Sequence, residues 1–144
     1  MSILADTNVL LRRTQPGHPS HTAAVESVAK LLASGEPVLF TLQNISEFWN
    51  VMTRPVEKNG LGFSTPLALR EVDLIERLFI RLPDSPAVYA EWKCLVVLHG
   101  VAGSKVHDTK LVAIMTVHGV RRLLTFNTAD FARYGIEAIH PAST

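Results

Sequence analysis

The chain opens on an apolar run, Ile3-Leu4-Ala5, that meets an acid at Asp6. Two residues that favour helix starts follow, Thr7 and Asn8, and then Val9-Leu10-Leu11. This pattern predicts a short buried strand that ends in a carboxylate and turns at once into a helix. Gln15-Pro16-Gly17-His18-Pro19 breaks the chain. From Ser20 the apolar positions Val25, Val28, Ala29 and Leu32 recur at helical spacing until Gly35 and Pro37. Val38-Leu39-Phe40 is the second strand, and Thr41 caps a helix with the stripe Leu42, Ile45, Trp49 and Met52 that stops near Arg54, before Pro55. The stretch from Pro55 to Phe63 carries Gly60 and Gly62 and reads as a mobile loop. Ser64-Thr65-Pro66 starts a helix through Leu67, Leu74, Ile75 and Leu78. Residues 79–82 form a third strand, closed by Pro83. Ser85-Pro86 starts another helix through Val88, Trp92, Leu95 and Val96, ending at Gly100. A helix containing Asp108 runs to His118; residues 120–124 are a fourth strand, 127–134 a loop with a short helix, and 136–139 a last strand.

Strands and helices alternate throughout. That order implies right-handed crossovers and a parallel sheet with helices on both faces. At 144 residues the chain is expected to form one domain over 1–144. Hydrophobic residues make up 47% and charged ones 19%, which excludes a disordered chain. The net charge of +1 does not by itself announce nucleic acid, so any such contact must rest on a local patch. The single cysteine, Cys94, excludes an internal disulfide and fits a reducing compartment. Asp6 interrupts the only N-terminal apolar run, so no signal peptide is expected, and no stretch is long enough to cross a membrane. The expected location is the cytoplasm.

In open α/β sheets, ligands bind just past the carboxyl ends of the strands. Asp6 stands at such an end, as a helix cap or as a group poised for chemistry. Glu47 lies in the second turn of the helix after strand two, whose side chains tilt back toward that same rim. It is about 200° around from Ile45 and so off the apolar stripe, which also suits an ordinary solvated glutamate. Asp108 sits early in a helix that is otherwise apolar, where a carboxylate also suits the helix dipole. Asp130 and Asn127 follow the fourth strand, where turn and cap chemistry would suffice for them. Each acid alone is ambiguous, but the topology brings all of them to one rim. Like charges about 4 Å apart repel by roughly 4 kcal/mol at an effective dielectric of 20, so such a cluster either protonates or holds a cation. An all-oxygen donor set suits Mg²⁺ or Mn²⁺, and no Cys/His cluster with zinc spacing is present.

Taken together, Asp6-Thr7-Asn8-Val9-Leu10, Glu47, His107-Asp108 and Thr125-Phe126-Asn127-Thr128-Ala129-Asp130-Phe131 resemble, in order and spacing, a PIN-domain ribonuclease of the VapC type, the toxin of a toxin–antitoxin pair. The resemblance implies a five-stranded parallel sheet in the order 3-2-1-4-5 and Mg²⁺- or Mn²⁺-dependent cleavage of RNA. Carried over by position, it implies that Asp6, Glu47 and Asp108 are the core acids, that Asp130 is a fourth, and that Thr7 and Thr125 support them. Asn127 stands where many relatives place a further acid, which weakens a second metal site. The resemblance implies metal held directly by Asp6 and Asp108, with Glu47 binding through water or orienting the nucleophile. Arg12, Arg13, Lys105 and Lys110 flank the acids in sequence and are candidates for holding the RNA backbone, or simply solvated surface charge. An antitoxin protein and a homodimer are further implications.

Two rival enzymes fit poorly. A phosphatase of the haloacid dehalogenase type wants a second Asp where Asn8 stands, and no Gly-rich phosphate loop follows the first strand. A non-catalytic RNA-binding or adaptor domain on the same fold is the remaining alternative, since fold alone does not establish activity.

Overall fold

A computed structural model covers residues 1–144. Its strands are β1 (Ile3–Ala5), β2 (Val38–Phe40), β3 (Ile80–Arg81), β4 (Arg122–Leu124) and β5 (Glu137–Ile139). They pair in parallel in the order β3-β2-β1-β4-β5, as expected. The helices are α1 (Thr7–Arg12), α2 (His21–Ala33), α3 (Leu42–Thr53), α4 (Thr65–Leu78), α5 (Ala87–His99) and α6 (Val106–Val117). Every residue of β1 and β2 is buried, because a parallel sheet with crossovers is covered on both faces.

Strand alternation sorts the core. Ile3, Ala5, Val38, Phe40 and Leu124 face α1–α4, packing with Val9, Leu10, Val28, Phe48, Met52, Val72 and Ile75. Leu4, Leu39 and Leu123 face the other way, against Leu111, Val112 and Met115 of α6 and Phe131. The chain leaves β1 for β2 on one side and reaches β4 only after α5 and α6, so the strand order reverses between β1 and β4. A crevice opens at such a reversal, at the carboxyl ends of the strands.

Several local expectations are corrected. Strand β3 is only Ile80–Arg81, both exposed, because Phe79 closes α4 and buries its ring in the core. In α4 the buried residues are Ala68, Val72 and Ile75, whereas Leu67, Leu74 and Leu78 are 44%, 43% and 42% exposed. In α3, Leu42 is exposed, and Asn44, Phe48 and Met52 are buried. In α2, Val25 is exposed, while Ala24, Ser27, Val28 and Leu31 are buried.

The stretch after Pro55 is a bonded turn and not a loose loop. The amides of Leu61, Gly62 and Phe63 donate to the carbonyls of Val51, Arg54 and Met52, tying the turn to the end of α3. Gly60 lies so close to this helix end that an added Cβ would sit 1.9 Å from the Arg54 carbonyl oxygen. Backbone cannot yield as a side chain can. Gly60→Ala is therefore expected to cost at least about 1–3 kcal/mol, a fall of several degrees in a thermal melt, with Gly17→Ala as the silent control. An unchanged melt for Gly60→Ala would contradict this packing.

Candidate active site

The β1–β4 reversal places Asp6 and Thr125 side by side. The Asp6 amide donates to the Leu124 carbonyl at 2.9 Å, continuing the β1–β4 pairing by one residue. The Thr125 hydroxyl then donates to Asp6 Oδ2 at 2.8 Å, and the Thr7 amide to Oδ1 at 2.8 Å. Asp6 is thus the N-cap of α1 and more than that, since its second oxygen is held from a neighbouring strand. Asn8 extends the cross-link: its Nδ2 lies 3.4 Å from both Asp6 Oδ2 and Thr125 Oγ1, and its Oδ1 accepts from the Phe126 amide. Thr125 is buried and also accepts from the Asn127 amide at 3.0 Å.

Thr7 supports Asp6 through its amide, while its hydroxyl accepts from Asn44 Nδ2 at 3.1 Å. Asn44, fully buried, forms a reciprocal capping box with Thr41 and so locks the start of α3 to the start of α1. One turn along α3, Glu47 is exposed on the rim. Gln43 Nε2 donates to the His107 carbonyl at 2.8 Å, joining the start of α3 to the first turn of α6, which carries Asp108. Sequence reasoning missed Asn44 and Gln43. The Thr41–Asn44 spacing of a capping box was the available signal for Asn44; Gln43 had none.

Electrostatics show that the acids share one field. Burial raises the Asp6 carboxyl to about 6, against the opposing hydrogen bonds from Thr125 and Thr7, and the charges of Glu47 and Asp108 push it the same way. Asp108 is also raised, first by burial, with Lys105 opposing and Asp130 and Glu47 reinforcing. Asp130 reaches the cluster from the short helical stretch after β4, Thr128–Tyr134. Lys105 places its ammonium 2.9 Å from Asp130 Oδ1 and 4.0 Å from Asp108 Oδ2, so a cation already stands between two of the acids. Both partners are substantially exposed, and such pairs are weak.

No three acidic or histidine side chains close on a common point as they stand. A divalent ion that keeps several of its waters needs only one or two direct carboxylates, so the all-oxygen rim remains suited to Mg²⁺ or Mn²⁺. The flanking cations divide. Lys105 and Lys110 lie at the rim, Lys110 in a cleft of about 370 Å³ with Gln43, Glu47 and His107. Arg12 and Arg13 are not brought to the acids, because α1 runs away from the rim by about 1.5 Å per residue. Arg12 bonds to Gln15, and the Arg13 guanidinium lies 5.3 Å over the Phe79 ring. Asn127 is exposed; its amide donates to Thr125 and its carbonyl accepts from the Asp130 amide.

No family model matches the chain, and no curated protein sequence does. Solved structures match along nearly its whole length. One is VapC20 of Mycobacterium tuberculosis, a toxin that cleaves the sarcin–ricin loop, with a TM-score of 0.67 and 19% identity over 94% of this chain and 97% of that one. VapBC2 of Rickettsia felis, bound to a DNA fragment from its promoter, matches with a TM-score of 0.69 and 14% identity, over 97% of this chain and 98% of that one. A toxin–antitoxin complex from Klebsiella pneumoniae matches with a TM-score of 0.64 and 19% identity, over 99% of each chain. The chain therefore has the PIN-like α/β fold, with the 3-2-1-4-5 parallel sheet that these structures share.

Proposed function

We propose that this chain is a Mg²⁺- or Mn²⁺-dependent endoribonuclease and the toxin of a toxin–antitoxin pair. The observation that carries the reading is Asp6: a carboxylate fixed by Thr125 and Thr7 at the sheet's reversal point, raised by burial and by the charges of Glu47 and Asp108. Negative charge gathered without enough counter-charge is a demand for a cation. The same fold occurs in a toxin that cleaves the sarcin–ricin loop and in a toxin–antitoxin complex.

In this reading Asp6 and Asp108 would hold the ion. Glu47, exposed one turn into α3, would hold it through water or orient the attacking water. A bound ion supplies Lewis acidity toward the phosphate oxygens and lowers the pKa of water beside it. Thr125 and Asn8 keep Asp6 in one orientation, and Gln43 keeps the α3 and α6 ends together. Lys105 neutralises Asp130 in the free protein, and Lys110 would face the RNA backbone from the adjoining cleft. Exposed leucines of α4, Leu67, Leu74 and Leu78, and Val97 and Leu98 of α5 offer apolar ground for an antitoxin and for a second copy. No helix is long and apolar enough to cross a membrane.

Purified protein is expected to cut total RNA, with transfer and ribosomal RNA included, in millimolar Mg²⁺ or Mn²⁺ and not in EDTA. The same ions should raise its melting temperature by mass action. Protein that binds RNA and never cuts it under these conditions would instead be a non-catalytic binding or adaptor domain.

A further inference from the structure

Tyr89 is the one aromatic residue among the large exposed apolar side chains, at 67% exposure. Its ring stacks on Trp92, with centroids 6.5 Å apart and planes 26° apart. The Trp92 indole N–H donates to the Val106 carbonyl at 2.9 Å, so the pair is anchored to the first residue of α6, two positions before Asp108. Beside the rings lies a cavity of about 420 Å³ lined by Asp84, Ser85, Val88, Tyr89, Trp92 and Lys110. Lys110 also lines the cleft that holds Glu47, Gln43 and His107, so the two hollows adjoin through one lysine.

We infer that the Tyr89–Trp92 hollow is a subsite for an unpaired nucleobase of the RNA strand, next to the nucleotide whose phosphate meets the acids. The inference rests on the ribonuclease reading and names how its substrate is gripped. Every base has a flat face, and an exposed ring set on an oriented tryptophan offers a stacking platform that is tolerant of sequence. Lys110 lies where it can neutralise the phosphate between the stacked base and the acidic rim. Asp84 and Ser85 add polar groups that a base edge can hydrogen-bond, which a purely apolar docking face would lack. An unpaired base is required, because a base held in a duplex has no free face to offer.

The test is equilibrium binding by fluorescence anisotropy in EDTA, where nothing is cut, using an end-labelled oligouridylate and its abasic counterpart. Tyr89→Ala is expected to weaken oligouridylate binding about five- to a hundredfold, the span of base–aromatic stacking, and Tyr89→Phe to retain it. The abasic strand should bind both wild type and Tyr89→Ala equally. Lys110→Ala should weaken both strands and reduce the slope of log affinity against log salt by about one. Equal oligouridylate affinity for wild type and Tyr89→Ala, or no binding by wild type, overturns the subsite. A Tyr89→Ala protein that sediments as a smaller species with RNA affinity unchanged overturns it in favour of a contact between copies. Binding through Tyr89 with no cleavage in Mg²⁺ or Mn²⁺ leaves the subsite standing and removes the ribonuclease reading; cleavage with Tyr89→Ala indifferent does the reverse.

Discussion

Asp108→Asn is expected to lower RNA cleavage by at least about 10²–10³-fold while leaving RNA binding intact or tighter. The size is that of removing one preorganised charged or polar group from a site where charge develops. Asp108 sits in the first turn of α6, partly buried, held beside Glu47 through the Gln43 bridge and beside Asp130 through Lys105. Asparagine keeps its shape and removes its charge. Lys105 would keep its closer partner, Asp130, at 2.9 Å, so the local structure should survive. With one anion fewer, the rim repels phosphate less, and affinity for RNA should hold or rise. The measurement is cleavage of cellular RNA beside a binding titration in EDTA. Cleavage that persists in the variant would point to a contaminating nuclease or to a different active site.

Asp6→Asn is expected to stabilise the metal-free protein at pH 8 while abolishing its activity. The Asp6 carboxyl is raised to about 6 in the folded chain, chiefly by burial, from about 3.9 when unfolded. A carboxyl raised on folding binds its proton more tightly in the native state. Its stabilising contribution is complete below the unfolded value and is lost as pH rises through about 6. At about 1.4 kcal/mol per pH unit the loss is about 3 kcal/mol, on the order of 10 °C in melting temperature for a chain of this size. Asparagine never ionises, still accepts from the Thr7 amide and caps α1 as well as aspartate does, though its NH2 cannot accept from the Thr125 hydroxyl, which offsets part of the gain at every pH alike. The difference in melting temperature between the variant and wild type should therefore grow from pH 4 to pH 8. Millimolar Mn²⁺ should close it by stabilising wild type alone. A variant whose melting temperature differs from wild type by a constant amount at every pH would show that burial does not penalise the Asp6 charge.

The layout of the fold was legible along the chain because it rests on local chemistry. Ile3-Leu4-Ala5 and Val38-Leu39-Phe40 are short apolar runs bounded by caps, and a strand buried on both faces has to look like that. Alternation with helices then dictates parallel pairing, and strand ends followed at once by Asp6 or Thr125 place those residues on one rim. The same topology points Glu47, Asp108 and Asp130 toward that rim, and the resemblance supplied the strand order and the roles of the acids.

The rotation of each helix was not legible. On α4 the core beside α3 takes Ala68, Val72 and Ile75 and leaves Leu67, Leu74 and Leu78 in solvent. Periodicity finds an apolar stripe but not which edge of it lets the helix approach closest, and the small Ala68 allows that approach. Sequence distance likewise does not place Arg13, which is near Asp6 along the chain yet follows the end of α1 and lies over Phe79. The order of the Pro55–Gly62 turn comes from the carbonyls of Val51, Met52 and Arg54, left without helical partners at the end of α3, and glycine content alone cannot reveal it. The bonds that set the distances between acids, Asn44 to Thr7 and Gln43 to the His107 carbonyl, join residues 37 and 64 positions apart. Such partners meet only when separate helices are docked on one sheet, so the kinds of group at the site follow from local patterns and their spacing follows from packing.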